Sequence, residues 1–323
     1  MFVSHYFEFE EHVTGGIAES VAHQRKMLRK RGIAYTTDPD LDADVLHCNV
    51  MGPRSVYYAR RADIPVVAHT HVTAEDFGES FRFTNALAKP LRPYLERAYS
   101  LADELVCPSE YNQGLIGSYT DRPTRVITNG VDTEKLDGFE DLREEYLDRY
   151  DLSPPVVFLV GHVIKRKGLE AFVETARTLP DVDFAWFGPI DRELKGRATK
   201  RLIDDSPSNC TFTGFIDDIR GAYAAGDIFF FPTYEENEGI ALLEAMAAGK
   251  PPVVRDIETF SWLTDGEDAI KADGDAEFAE AITQLQDDEH RQRLGEAARE
   301  RSEPYHLDAV APEYELLYEE TCQ

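Results

Sequence analysis

Short apolar runs recur along this chain, and each ends in a polar turn that leads into a helical stretch. Asp44–His47, Ile64–His69, Glu104–Ser109, Arg125–Thr128, Val156–Val160, Asp183–Phe187, Thr211–Phe215, Ile228–Pro232 and Pro251–Arg255 read as such runs. Apolar runs without strict alternation are the pattern of strands covered on both faces, as in parallel sheets. The opening of the chain, ahead of a loop with Gly15-Gly16, adds a brief first strand. Between the runs the period changes to that of a helix. Ile17–Arg31 places Ile17, Val21 and Leu28 on one face, and Asn85–Leu101 carries Leu87, Leu91, Tyr94, Leu95 and Tyr99 around a bend expected at Pro90 and Pro93. Helices are also expected near Arg192–Ile203 and Ile219–Ala225 and over Ala276–Gln286, Asp288–Arg301 and Leu307–Glu320. Ser153-Pro154-Pro155 interrupts the alternation as a hinge. Strand–helix repeats on both sides of a hinge predict two doubly wound α/β domains facing a cleft, over residues 1–152 and 153–304, with a final helix over 305–323.

The chain is organised around Ile228–Ile257. An apolar strand is followed by the turn Tyr234-Glu235-Glu236-Asn237-Glu238, which holds three carboxylates and no cation. A run of helix formers, Gly239–Ala248, then ends at Gly249. That helix is apolar nearly all round and should be buried, so its one charge, Glu244, needs partners. They are either a structural network or a ligand that brings hydroxyl donors. Glu236 sits in a turn at the carboxyl end of a strand, where open α/β sheets bind ligands. Gly239 permits close approach to the backbone, and the free N–H groups of the first helical turn suit an anion or a sugar oxygen. The bland alternative, two surface glutamates on an ordinary helix, fits poorly with so apolar a surrounding.

Charge narrows the functional classes. Asp and Glu outnumber Lys and Arg 61 to 34, a net charge of −27 spread along the chain. That argues against nucleic-acid binding. It implies a surface whose self-repulsion is relieved by salt, which shortens the Debye length to roughly 3 Å at 1 M, and so a halophile's protein. The four cysteines are isolated, with no Cys/His metal spacing, so a reduced cytoplasmic setting is expected. Asn209-Cys210-Thr211 is read as a chance glycosylation sequon. No apolar run reaches the roughly 18 residues of a membrane span. Lys26, Arg29 and Lys30, on the polar side of the first helix, form the densest basic cluster. They read either as an ordinary amphipathic surface or as a peripheral contact with the inner face of the membrane through Ile17–Arg31. Two further turns carry candidate chemistry. Gly161-His162-Val163-Ile164-Lys165-Arg166-Lys167-Gly168 puts adjacent cations at a strand-to-helix turn, which suits a diphosphate. His69 and His71, with Glu75 and Asp76 nearby, offer hydrogen bonds to a sugar or phosphate. Gly15-Gly16 before a helix is either a plain turn or a phosphate cradle.

Glu-x7-Glu followed by Ala-Met-Ala-Ala-Gly-Lys-Pro-Pro-Val-Val resembles the donor-site motif of the retaining GT-B glycosyltransferases of family 4. The stretches His69–Phe83 and Arg255–Leu263 resemble the branch that glucosylates diacylglycerol, and Asn129–Asp132 and Thr213–Phe215 are similar to landmarks of the family. The resemblance implies a GT-B fold whose last helix crosses back onto the N-terminal domain. It implies that Glu236 holds the donor sugar's hydroxyls, that the turn Asn237-Glu238-Gly239-Ile240 touches the same sugar, and that Glu244 binds the ribose. Lys167 matches the family's diphosphate lysine, while His162 stands where the family has an arginine, whose charge Lys165 or Arg166 would take over. Gly16 would turn its amide to the diphosphate. His71 would lie near the donor sugar, with His69 the fallback.

The expected activity is retaining transfer of a hexose from a nucleotide diphosphate sugar, of the UDP-glucose kind, to a hydroxyl acceptor such as a membrane lipid. Catalysis would be mainly electrostatic, by His71, Glu236 and Lys167 with helix N-termini, and needs no cofactor or metal. Four rivals stand beside it: a sugar-nucleotide epimerase of the same fold, transfer to a soluble or polyprenyl-linked glycan, a non-enzymatic subunit, and a nicotinamide oxidoreductase. The last lacks a Gly-x-Gly-x-x-Gly after a strand.

Overall fold

The computed structural model describes residues 1–77, 84–190 and 197–323, with side chains placed at 1–75, 90–190 and 199–323. Its strands form two sheets, all parallel. The first runs β2-β1-β3-β4-β5-β6, from β1 (Phe2–Tyr6), β2 (Ala34–Thr36), β3 (Val45–Cys48), β4 (Val66–His69), β5 (Glu104–Cys107) and β6 (Thr124–Val126). The second runs β12-β11-β10-β7-β8-β9, from β7 (Val157–Val160), β8 (Phe184–Phe187), β9 (Cys210–Gly214), β10 (Ile228–Phe231), β11 (Pro252–Arg255) and β12 (Ile270–Ala272). The expected runs are all strands. The edge strands β2 and β12 were not expected. Each is three residues long, too short to carry a pattern.

Val3 pairs with Val45 in the first sheet and Phe229 with Phe158 in the second. Strands β3, β4, β7, β8 and β10 are buried throughout, as their mainly apolar sequences require, and β3 and β4 take His47 and His69 inside with them. The second sheet's core is strongly aromatic: Phe172 packs on Phe184, Trp186 and Phe230, and Phe230 on Phe278.

The helices that set the cleft are α1 (Gly16–Lys30), α2 (Pro53–Ala59), α3 (Thr84–Tyr99), α4 (Glu110–Gly117), α5 (Leu169–Thr178), α6 (Ile240–Ala247) and α7 (Leu307–Thr321). Their ends follow local chemistry. Pro53 opens α2, and the Ser109 hydroxyl caps α4 by accepting from Asn112 N at 3.1 Å. Gly249, at φ 69°, closes α6 with the amides of Gly249 and Lys250 returned to Met246 and Ala245. In α3, Leu95 and Tyr99 are core while Tyr94 is 36 % exposed. Leu87 lies outside the described side chains, as do residues 78–83 of the His69–Phe83 stretch and the expected helix start at Arg192.

The last helix, α7, buries Leu307, Val310, Ala311, Tyr314, Leu317 and Tyr318 against Val3, Met27, Leu28, Val45, Val67 and Val106. It therefore returns to the N-terminal domain, as the resemblance implied, and its entry is fixed by Leu307 N donating to Val131 O at 3.2 Å. The cations of α1 are committed within the protein. Lys26 binds Asp132 and Glu134 at 2.7 Å, Lys30 binds Glu134 at 2.8 Å and Asp308 at 2.6 Å, Arg31 pairs with Glu315, and Arg29 donates to the Tyr35 hydroxyl. This face joins α1 to the Asp132–Glu134 loop and to α7, which is a structural job for the charges that suggested a membrane contact through Ile17–Arg31. Among the described residues no helix is long and apolar enough to cross a membrane.

Candidate functional site

In the second sheet β7 and β10 are neighbours, with β8 and β9 on one side and β11 and β12 on the other. The connections diverge at this point, and a crevice opens beyond the strand ends. Two turns line it: Gly161–Lys167 after β7 and Thr233–Gly239 after β10. They are locked together. Gly168, at φ +81°, sits so close to β10 that an added Cβ would lie 2.2 Å from the Pro232 carbonyl oxygen, a space only glycine leaves open. The buried Arg255 of β11 donates to the same carbonyl at 3.1 Å and lies over the Tyr234 ring.

Glu236 is at the centre, 7 % exposed. Its Oε1 pairs with Lys167 Nζ, lies 3.4 Å from an Arg166 nitrogen and accepts from the Thr233 hydroxyl at 3.3 Å. Burial works to raise its pKa, but the Lys167 and Arg166 charges outweigh it and hold the carboxyl below the usual range. Arg166 also donates to Glu235 O at 2.6 Å. Lys165, on the same short turn, is exposed and outside this cluster. Of the two cations offered as a replacement for the family's arginine, Arg166 is therefore the one turned toward Glu236.

The rest of the turn is gripped by the N-terminal domain. Asn237 Nδ2 donates to His71 O at 3.1 Å, and its Oδ1 accepts from Asn112 at 2.8 Å. The Ser109 hydroxyl donates to Asn237 O and the Tyr111 hydroxyl to Glu235, at 2.5 and 2.6 Å. Glu238 Oε2 accepts from Asn129 N at 3.0 Å and Nδ2 at 2.7 Å, and the carboxylate lies buried against the Thr128 side chain. Burial lifts its pKa to about 7 against these bonds. Asn129 in turn accepts from the Ser20 hydroxyl at 2.5 Å. The side chains of Asn237 and Glu238 thus serve contact between the lobes, which the sequence did not suggest.

Gly239, at φ 101°, and Ile240 begin α6, so the first amides of the helix have no partner within it. Glu244, partly buried, accepts from the Tyr223 hydroxyl at 2.6 Å. Burial raises its pKa to about 7, Tyr223 lowers it, and Glu19 across the cleft raises it. His162 also faces the other lobe, since a Cβ added at Gly15 would lie 3.2 Å from its ring. Gly16, the glycine singled out from the sequence, has nothing within 4 Å of such a Cβ, so the close approach occurs one residue earlier.

His71 is 6 % exposed and stacks on His69 with ring centroids 3.8 Å apart. Its Nε2 faces Asn49 Oδ1 at 3.4 Å and Gln24 Nε2 at 3.5 Å. Gln24 Oε1 is 2.9 Å from His5, and His47 meets the Tyr318 hydroxyl at 2.6 Å. His5, His47, His69 and His71 therefore form one ring-to-ring cluster in the interior of the N-terminal domain, although β1 and β3 read from sequence as plain strands. Burial first, then the neighbouring histidines, pushes His71 down to about 3. Burial pushes His5 down to about 4 against its bond to Gln24, and holds His47 and His69 well below the ordinary value. His71 is thus a neutral hydrogen-bonding group. Among the described residues no cluster of His, Cys, Asp and Glu could hold a metal.

Comparison with known proteins gives this site a setting. Residues 154–288 match the family described as glycosyl transferases group 1, and residues 21–135 match glycosyltransferase family 4. The processive diacylglycerol alpha-glucosyltransferase of Acholeplasma laidlawii is 34 % identical over 277 residues, covering 84 % of this chain and 83 % of that protein. The sulfoquinovosyl transferase SQD2 of Arabidopsis thaliana is 28 % identical over 283 residues, 81 % of this chain and 54 % of that one. In fold, the chain is similar to Anabaena Alr3699/HepE, solved in complex with UDP-glucose, with TM-score 0.78 at 16 % identity over 99 % of this chain and 100 % of that one. It is similar also to WaaG, a glycosyltransferase of lipopolysaccharide biosynthesis, with TM-score 0.70 at 16 % identity over 98 % of each chain.

Proposed function

We infer the reaction from one premise: the chain belongs to the family 4 glycosyltransferases, the glycosyl transferases group 1, and is a glycosyltransferase of GT-B fold. We propose that it transfers glucose from UDP-glucose, with retention, to the free hydroxyl of a diacylglycerol-type lipid. The observation that carries the donor side is the buried Glu236–Lys167–Arg166 cluster at the β7/β10 switch point, which faces the N-terminal domain. The lipid acceptor and the glucose are supported by the Acholeplasma relative, and the UDP by the Anabaena complex.

In this reading the donor diphosphate takes over Lys167 and Arg166 and leaves Glu236 to accept hydroxyls of the sugar. The first amides of α6 hold the same sugar, and Glu244 meets the ribose hydroxyls. The neutral His71 donates to the sugar or to the phosphate. The bond between C1 and the phosphate oxygen breaks with its electron pair going to the diphosphate. The acceptor oxygen bonds to C1 from the same face, and its proton passes to the departing phosphate. Lys167, Arg166 and the helix amides stabilise the negative charge that grows on the leaving group, so the step needs no metal. The test is product formation from radiolabelled UDP-glucose and diacylglycerol. The wild type should yield a glucosyl lipid and UDP, and Glu236→Ala should lose at least about 100-fold in rate. An unchanged rate in that variant would remove the role of Glu236, and epimerised sugar nucleotide without acceptor would favour the epimerase.

A further inference from the structure

Glu244 is the one charge in the apolar helix α6. To accept hydroxyls of a ribose it must be ionised and turned to the cleft. Burial opposes the first, and the freedom of a long side chain opposes the second. A single group counters both. The Tyr223 hydroxyl donates to Glu244 Oε2 at 2.6 Å, the short distance of a bond to an ionised acceptor. Among the described residues it is the one hydrogen bond that the Glu244 carboxylate makes, so Oε1 is left for another donor.

Tyr223 is itself held in place. It lies in the short helix Arg220–Ala225, flanked by Gly221, Ala222, Ala224 and Ala225, and is fully buried. Its ring meets Phe158 of β7 edge-on, with centroids 5.9 Å apart. Gly226 leaves room for that Phe158, since a Cβ there would lie 2.1 Å from its ring. A phenylalanine at 223 would fill the same core space. The hydroxyl is therefore what the tyrosine adds, and a buried hydroxyl requires a partner. Charges on the other lobe leave it the leading counterweight to burial. Burial raises the Glu244 pKa to about 7 and the Tyr223 bond lowers it, while Glu19 of α1 raises it and His23 of α1 and Lys135 beyond Asp132 lower it with smaller effect.

We propose that Tyr223 is a positioning residue for the donor nucleotide: its buried hydroxyl fixes the Glu244 carboxylate with Oε1 toward the ribose hydroxyls, and so sets the preference for a ribonucleoside diphosphate over one that lacks those hydroxyls. This rests on the reading in which Glu244 meets the ribose, and deepens it. With Oε2 taken by Tyr223, Oε1 keeps lone pairs for hydroxyl donors. A carboxylate already fixed need not be ordered by the ligand, which spares affinity. Hydroxyl donors favour the ionised form, so the ribose contribution strengthens as pH rises through the Glu244 pKa. Without the Tyr223 hydroxyl that pKa moves higher still, and the rise shifts to higher pH.

The measurement is calorimetric binding of UDP and of 2′,3′-dideoxy-UDP from about pH 6 to 9, by the wild type, Tyr223→Phe, Glu244→Gln and the double variant. The ratio of the two affinities cancels the titration of the phosphate, and because it is taken on one folded protein, a loss of stability does not enter it. The wild type should bind UDP more tightly than the dideoxy compound. Tyr223→Phe should weaken UDP about tenfold at pH 7, leave the dideoxy compound unchanged, and move the pH midpoint of the ratio upward. The double variant should bind UDP no more weakly than Glu244→Gln, since the hydroxyl acts through the carboxylate. In transfer from UDP-glucose, Tyr223→Phe should raise KM and leave kcat nearly unchanged. Equal weakening of both nucleotides by Tyr223→Phe would mark a merely structural effect and overturn the proposal. Unchanged UDP affinity in Tyr223→Phe, with a loss in Glu244→Gln, would overturn the proposal and leave the ribose reading standing. Equal binding of the two nucleotides by the wild type, or unchanged UDP affinity in Glu244→Gln, would sink the ribose reading and the proposal with it.

Discussion

Lys167→Met isolates the cluster on which the site depends. In the folded protein the Lys167 and Glu236 side chains are 15 % and 9 % exposed, so the pair is screened little by solvent. Removing one member of a buried pair typically costs about 3–5 kcal/mol, because the other charge is left without compensation. Arg166 at 3.4 Å and the Thr233 hydroxyl at 3.3 Å retain part of the compensation, which places the expected loss near 3 kcal/mol. For a domain of this size that is a fall in melting temperature of roughly 6–12 °C at pH 7. The pH dependence has a definite sign. The folded-state pKa of Glu236 is depressed, so its contribution to stability is present above the ordinary glutamate pKa, about 4.3, and is lost as pH falls through the folded value. The deficit of Lys167→Met should therefore shrink on acidification. Glu236→Gln in the Lys167→Met background should restore most of the melting temperature, since the carboxylate left by the lysine is then neutral and Arg166 keeps its bond to the Glu235 carbonyl. It should not restore transfer, for which the loss of a leaving-group cation costs roughly 100-fold to 1,000-fold in kcat. Scanning calorimetry from pH 4 to 8 and turnover of labelled UDP-glucose separate the two effects. A single variant with unchanged melting temperature at pH 7, or a double variant no more stable than the single, would refute this electrostatic account.

Glu238 has its pKa raised to about 7 by burial, so folding loses stability as pH rises from about 4.5 to about 7, and the loss is complete above that. Glu238→Gln keeps an acceptor for Asn129 and should raise stability at pH 8 by about 2 kcal/mol, with no gain at pH 4, as read by denaturant titration. Gly168→Ala should destabilise the C-terminal domain by more than about 2 kcal/mol, because its Cβ would meet the Pro232 carbonyl and its backbone is left-handed; the urea midpoint measures this. Since His71 is held neutral, with a pKa near 3, the log of kcat/KM should show no inflection from it between pH 5 and 8, and His71→Asn should lower the rate without changing the shape of the profile.

What could be read from the sequence was local. Glu236, Gly239, Glu244 and the end of α6 lie within a few residues of one another, and Lys165–Lys167 form one turn, so pattern and chemistry coincide there. What could not be read depended on distant partners. Glu238 meets Asn129 across 109 residues, and Lys30 meets Asp308 across 278, which is why α1 looked like a free basic face. The same limit hid the histidine interior: His5 and His47 sit in apolar strands, and only sheet register places them beside His69. Which of three adjacent cations turns inward was likewise set by the tight turn Lys165–Lys167 and not by residue type.

The most direct test of the account is a crystal structure of the protein with UDP-glucose. The diphosphate should lie against Lys167 and Arg166 at the β7/β10 switch point, with hydroxyls of the glucose on Glu236 and its ring near His71. A nucleotide bound elsewhere, or a donor in the cleft while Glu236 stays paired to Lys167 and touches no hydroxyl, would contradict it.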